Sequence, residues 1–78
     1  MSKILQDRNI GKNIQRLRLT NNMTQADLTA ALGEHNREMS IITISQIENG
    51  KRNIFASDLV RLKLIFDVPF EEFFKGMY

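Results

Sequence analysis

Ser40-Ile41-Ile42-Thr43-Ile44-Ser45-Gln46-Ile47-Glu48-Asn49-Gly50-Lys51-Arg52 is the stretch whose reading decides the fold. By propensity alone, the β-branched run Ile41-Ile42-Thr43-Ile44 suggests a strand. Two features override it. Ser40 is a good helix N-cap and Gly50 a good helix stop, and between them Ile44 and Ile47 stand three apart. The stretch is therefore predicted to be a helix from Ile41 to Asn49. At about 100° per residue, Ile44, Ile47 and the Ser40 cap point one way and make a core face. Ile41, Ile42, Ser45, Gln46 and Asn49 cluster on the opposite side. That second face carries an amide, a hydroxyl and two isoleucines with no obvious reason to be exposed.

Working outward, the apolar spacing stays helical rather than alternating. Ile10, Ile14 and Leu17 form one stripe of a first helix, about Gln6 to Thr20, which Asn21-Asn22 stops. Thr24 caps a second helix, Gln25 to Leu32, with Asp27 completing a capping box and Gly33 ending it. Glu34-His35-Asn36-Arg37-Glu38 is polar and reads as a loop. After the basic turn Lys51-Arg52-Asn53 comes a fourth helix, about Ser57 to Phe66, with Leu59, Leu62 and Phe66 as its stripe. Asp67-Val68 breaks it, and Pro69 opens a fifth helix to about Lys75, with Glu71 and Glu72 complementing its dipole. By spacing, Phe66, Phe70 and Phe73 are assigned to the core. The expectation is an all-α, compact five-helix domain spanning residues 1–78.

Bulk composition excludes much. The chain has 78 residues, no cysteine and one histidine, so neither a disulfide framework nor a thiolate zinc site is possible. His35 reads as a loop residue. No apolar run approaches the roughly 20 residues of a membrane span, and the first seven residues lack the apolar stretch of a signal peptide. A cytoplasmic, soluble protein is the expectation. No nucleophile–base constellation or phosphate loop is present, and the acidic residues are scattered. Adjacent Glu71 and Glu72 diverge by about 100° on a helix, which does not suit paired acid–base work. No catalytic activity, cofactor, metal or small-molecule ligand is expected. Net charge is +2, and residues 1–52 hold eight Lys and Arg against five Asp and Glu. That mild asymmetry suits a nucleic-acid partner only if a motif supports it, chance being the alternative.

The exposed face of the third predicted helix supplies such a motif. Glutamine pairs bidentately with adenine N6 and N7, and an apolar side chain meets the thymine methyl in the major groove. Lys51 and Arg52 follow at the helix end, where they would neutralise phosphates, the alternative being a charged turn.

The pattern Ile14-x-x-Leu17-Arg18, Met23-Thr24-Gln25-x-x-Leu28, then Thr43 through Arg52, resembles the Cro/repressor-type helix-turn-helix family of phage and bacterial regulators. The likeness continues through Leu59-x-x-Leu62 and Phe66-Asp67-Val68-Pro69-Phe70-Glu71-Glu72-Phe73-Phe74, covering roughly residues 10–74. It implies a lambda-repressor-like domain whose second and third helices form the helix-turn-helix, here with a lengthened turn. It also implies that Gln25 contacts a phosphate, that Arg18 and Glu48 form a partly buried ion pair, and that Ile41, Ile42, Thr43 and Gln46 face bases or adjacent backbone. Asn49, Lys51 and Arg52 then occupy phosphate-facing positions. The partner implied is double-stranded DNA, bound by a homodimer on a pseudo-palindromic operator, with repression the simplest outcome. An antitoxin or a restriction–modification controller would look the same.

Three departures from the family pattern stand out. About six extra residues, 34–39, separate the second and third helices. Thr29 stands where a small alanine commonly permits close helix packing. Ile41 and Ile42 replace polar residues at the leading reading positions, which shifts the readout toward thymine methyls unless they pack under the added loop. That apolar pair also suits a protein partner, so a protein-interaction module remains the alternative class. At the C-terminus, Leu64, Phe74, Met77 and Tyr78 are candidates for a homodimer interface, the alternative being a loosely packed end.

Overall fold

The computed structural model describes residues 3–4 and 8–77. Four α-helices, α1 (Arg8–Thr20), α2 (Gln25–Glu34), α3 (Ile41–Glu48) and α4 (Ala56–Phe66), are followed by a 3-10 helix, Phe70–Phe74. Two short strands, β1 (Lys3–Ile4) and β2 (Ile54–Phe55), pair antiparallel, Lys3 opposite Phe55 and Ile4 opposite Ile54. The domain is thus mostly helical, but the all-α, five-helix expectation is corrected twice. The ladder joins residues some fifty positions apart, and two-residue strands leave no alternation to read in a sequence. The last element fails to become an α-helix because it is too short to nucleate one and its carbonyls are claimed elsewhere. Asn13 Nδ2, buried on α1, donates to the Phe73 and Lys75 carbonyls at 2.9 Å each, and Arg16 donates to the Glu72 carbonyl at 3.1 Å.

The helix ends share one device. After α1, α2, α3 and α4 come Asn22, Asn36, Gly50 and Asp67, all with positive φ. In each case the next residue's N–H reaches back to the carbonyl five positions earlier: Met23 to Arg18, Arg37 to Leu32, Lys51 to Gln46, Val68 to Lys63. This left-handed closure suits Gly, Asn and Asp, whose small or locally hydrogen-bonding side chains tolerate it. It also corrects the end of α2. Gly33 stays helical, and the helix runs to Glu34 with His35 as its cap, because Asn36 takes the left-handed position. The start near Gln6 expected for the first helix lies outside the described residues.

The core gathers one stripe from each helix: Ile10, Ile14 and Leu17; Leu28 and Leu32; Ile44 and Ile47; Leu59, Leu62 and Phe66. Met39 from the α2–α3 connection, Ile54 from β2 and Phe73 from the 3-10 helix close it. Phe70 does not join them. It is 43% exposed, with the Lys63 ammonium 5.5 Å from its ring centre. Helical spacing cannot carry across Asp67 and the extended Pro69, so Phe70 does not continue the buried stripe of Phe66.

The segment after α2 is tied down. Met39 is buried, and Arg37 donates to both carboxylate oxygens of buried Asp58 on α4, at 2.9 and 3.4 Å. Arg61 completes the cluster, bonding Asp58 at 3.1 Å and the His35 carbonyl at 3.3 Å. Losing the arginines would leave the buried Asp58 carboxylate uncompensated, which makes this connecting segment part of the scaffold. No helix among the described residues is long and apolar enough to cross a membrane.

Candidate nucleic-acid interface

Helix α3 is capped at both ends by its own sequence. Ser40 Oγ accepts the Thr43 N–H at 3.1 Å, satisfying one of the free donors of the first turn. The same hydroxyl donates to Thr43 Oγ1 at 3.0 Å. At the other end, Gly50 at φ 72 sends the chain into the Lys51-Arg52 turn. Asn49 is therefore the cap residue, one position beyond the helix.

The inner side of α3 is seated by packing and charge together. Ile44 and Ile47 enter the core. Arg18 on α1 forms a two-point contact with Glu48, Nε to Oε2 at 2.7 Å and Nη2 to Oε1 at 3.0 Å. The two side chains retain 8% and 2% exposure. The hydrogen bonds that Arg18 donates to Glu48 raise its pKa against the opposing effect of burial, so the guanidinium stays charged. Arg18 also donates to the Met23 carbonyl at 2.9 Å, linking the pair to the turn before α2. Gly11 lets α1 lie directly on this end of α3: a Cβ there would collide with the Ile47 carbonyl oxygen and stand 2.6 Å from that of Glu48.

Helix α2 is fixed to the same hub. Thr24 and Asp27 form a reciprocal capping box, with Thr24 N–H to Asp27 Oδ2 at 2.9 Å and Asp27 N–H to Thr24 Oγ1 at 3.0 Å. The first of these bonds, with the Thr24 hydroxyl adding to it, holds the Asp27 carboxyl below its ordinary range. Gln25, the residue expected at a phosphate, donates its side-chain amide to Glu48 Oε1 at 3.2 Å. Glu48 thus gathers Arg18 and Gln25, from two helices, onto the third.

The outer side of α3 stays in solvent. Ile41 is 46% and Ile42 70% exposed, so neither packs under residues 34–39. Thr43, Ser45 and Gln46 are half-exposed, and Asn49, Lys51 and Arg52 are exposed. Glu48, the one carboxylate on α3, is buried with Arg18, so the outer face carries no acid of its own. Arg52 Nε donates to Gln46 Oε1 at 2.9 Å, joining the basic turn to the amide at the middle of the face. Apolar tip, polar middle and basic end lie along one exposed ridge. A ridge of this kind fits a major groove flanked by phosphates.

Other expected positions divide. Leu64 (60% exposed) and Met77 (37%) are surface residues. Phe74 packs partly against the core instead, because the 3-10 helix folds back on α1, and Tyr78 lies outside the described residues. Thr29 is half-buried, and its hydroxyl is enclosed without a hydrogen-bond partner among the described residues. Sequence reading missed Gly11, Asn13 and the Arg37–Asp58–Arg61 cluster. All three act through contacts distant along the chain, and only the charge of Arg37 inside a connecting segment offered any signal. Among the described residues no group of three His, Cys, Asp or Glu is placed to hold a metal ion.

Comparison with protein families finds a match over residues 14–73 to the model described as helix-turn-helix. Among curated proteins, no match to the chain is found.

Proposed function

Since the chain belongs to the helix-turn-helix family, whose Cro/repressor type comprises DNA-binding transcription regulators, we propose that it binds a specific duplex site through α3 and represses transcription by occupying it. The observation that carries this reading is the exposed ridge from Ile41 to Arg52 on a helix held rigidly by the Arg18–Glu48 pair. In it, Ile41, Ile42, Thr43 and Gln46 meet base edges, while Asn49, Lys51 and Arg52 meet phosphates. Gln25 reaches a phosphate by exchanging its Glu48 contact or through its backbone N–H at the start of α2.

The protein acts as a homodimer, its two copies of α3 entering successive major grooves about 34 Å apart on a pseudo-palindromic site. Exposed Leu64 and Met77 support such an interface, and Val60, one turn before Leu64 on α4, adds to that surface. Selection of bound fragments from a random duplex pool tests the reading, because it reports site, spacing and symmetry together. The expected result is an enriched palindrome whose binding weakens steeply as salt rises. No binding at about 50 mM salt would rule the proposal out.

A further inference from the structure

We propose that the leading end of α3 reads pyrimidine C5-methyl groups, so that the preferred duplex carries thymine or 5-methylcytosine where Ile41 and Ile42 land. The inference rests on the DNA-reading function proposed above and specifies the chemistry of its substrate.

Ile41 and Ile42 are the first two residues of α3, with 46% and 70% of their surfaces in solvent. The Ser40 cap fixes the first turn, so these side chains are held outward on a rigid element rather than on a loop. Two isoleucines are far too little for a stable protein interface, which needs about 800 Å² from each partner. Their surroundings are also wrong for one: Gln46, Asn49, Lys51 and Arg52 follow along the same ridge. In the major groove the distinctive apolar feature is the methyl at pyrimidine C5.

Hydrogen-bonding capacity near the tip is already partly used. Thr43 Oγ1 accepts from Ser40, and Gln46 Oε1 accepts from Arg52. Isoleucine has no donor or acceptor, so it is indifferent to whether the neighbouring group is the O4 of thymine or the N4 amine of cytosine. It responds only to the methyl. Thymine and 5-methylcytosine present that methyl at the same ring carbon, and uracil and cytosine lack it. Burying one such group is worth about fourfold in affinity.

The test uses the duplexes that the wild-type protein enriches from a random pool, resynthesised with single thymines replaced by deoxyuridine or single cytosines by 5-methylcytosine. At one or two positions per half-site, deoxyuridine should weaken binding by about fourfold. Cytosine there should bind worse than thymine, and 5-methylcytosine should recover most of the difference. In Ile42→Ala, whose exposed position leaves the fold intact as checked by circular dichroism, the sensitivity at one of those positions should vanish. Equal binding of thymine and deoxyuridine duplexes at every position overturns the inference while leaving DNA binding in place, as does undiminished sensitivity in Ile42→Ala together with Ile41→Ala. Failure to enrich any duplex defeats the underlying DNA-reading proposal as well.

Discussion

Replacing Glu48 by glutamine changes one atom and removes one charge, and its cost follows from where that charge sits. Glu48 and Arg18 keep 2% and 8% of their side-chain surface, and they meet through two bonds of 2.7 and 3.0 Å. In Glu48→Gln the guanidinium stays buried and charged, but one oxygen that accepted its N–H becomes a donor facing a donor. Removing one partner of a buried pair costs about 3–5 kcal/mol. A domain of this length has total stability of about 4–12 kcal/mol, so the loss takes a large part of it. Urea denaturation followed by helical circular dichroism should show the decrease, and the melting temperature should fall by roughly 12 °C or more. The double replacement Arg18→Met with Glu48→Leu removes both charges while keeping most of the volume, and should recover at least about half of the loss. A cost below about 1 kcal/mol for Glu48→Gln, or a double variant as unstable as the single one, would refute the reasoning.

The remaining predictions separate reading from scaffolding. Gln46→Ala should lose about 1–3 kcal/mol on the selected site with relaxed specificity, whereas Lys51→Ala should weaken all duplexes alike and flatten the salt slope by about one. Electrophoretic titrations at several salt concentrations distinguish the two, and a sequence-dependent loss for Lys51→Ala contradicts its phosphate role. Gly11→Ala drives a methyl into the last carbonyls of α3 and should destabilise by about 1–3 kcal/mol despite alanine's better helix propensity. Thr29→Val keeps the shape and removes an unpaired buried hydroxyl, so thermal melting should show stability gained, by about 1 kcal/mol. Because the folded pKa of Asp27 is depressed, its capping contribution is full above the unfolded pKa and lost as pH falls through the lower folded value. A carboxyl titration by NMR should place its midpoint below that of Asp27 in the unfolded chain. An unshifted midpoint contradicts the capping-box account.

The helices were legible because each carries its own signals: a cap such as Thr24 or Ser40, an apolar stripe such as Ile10-Ile14-Leu17, and a left-handed stop such as Asn22 or Gly50. All act within about one turn of the residue concerned, and local order along the chain is what a sequence records. The same locality explains the misreadings. Gly33 looked like a stop because it is a glycine, but Asn36 three residues later held the required conformation. Phe70 looked like core because helical spacing was carried across a break.

The ridge from Ile41 to Arg52 was visible as one face of a helical wheel, and its residues were named from the sequence. Whether Ile41 and Ile42 would be covered was not, because that depends on where residues 34–39 go. Their path is set by Arg37 meeting Asp58 and by Met39 entering the core. Nor could the sequence show that Arg52 joins Gln46, or that Gln25 joins the Arg18–Glu48 pair that the family resemblance implied. The sequence by itself determined where the four α-helices lie, to within a few residues, and which residues could face a partner, since propensity, capping and periodicity are short-range. Only the tertiary structure decided which of those residues remain exposed and how rigidly α3 is held, because burial and ion pairing depend on groups twenty or more positions apart along the chain.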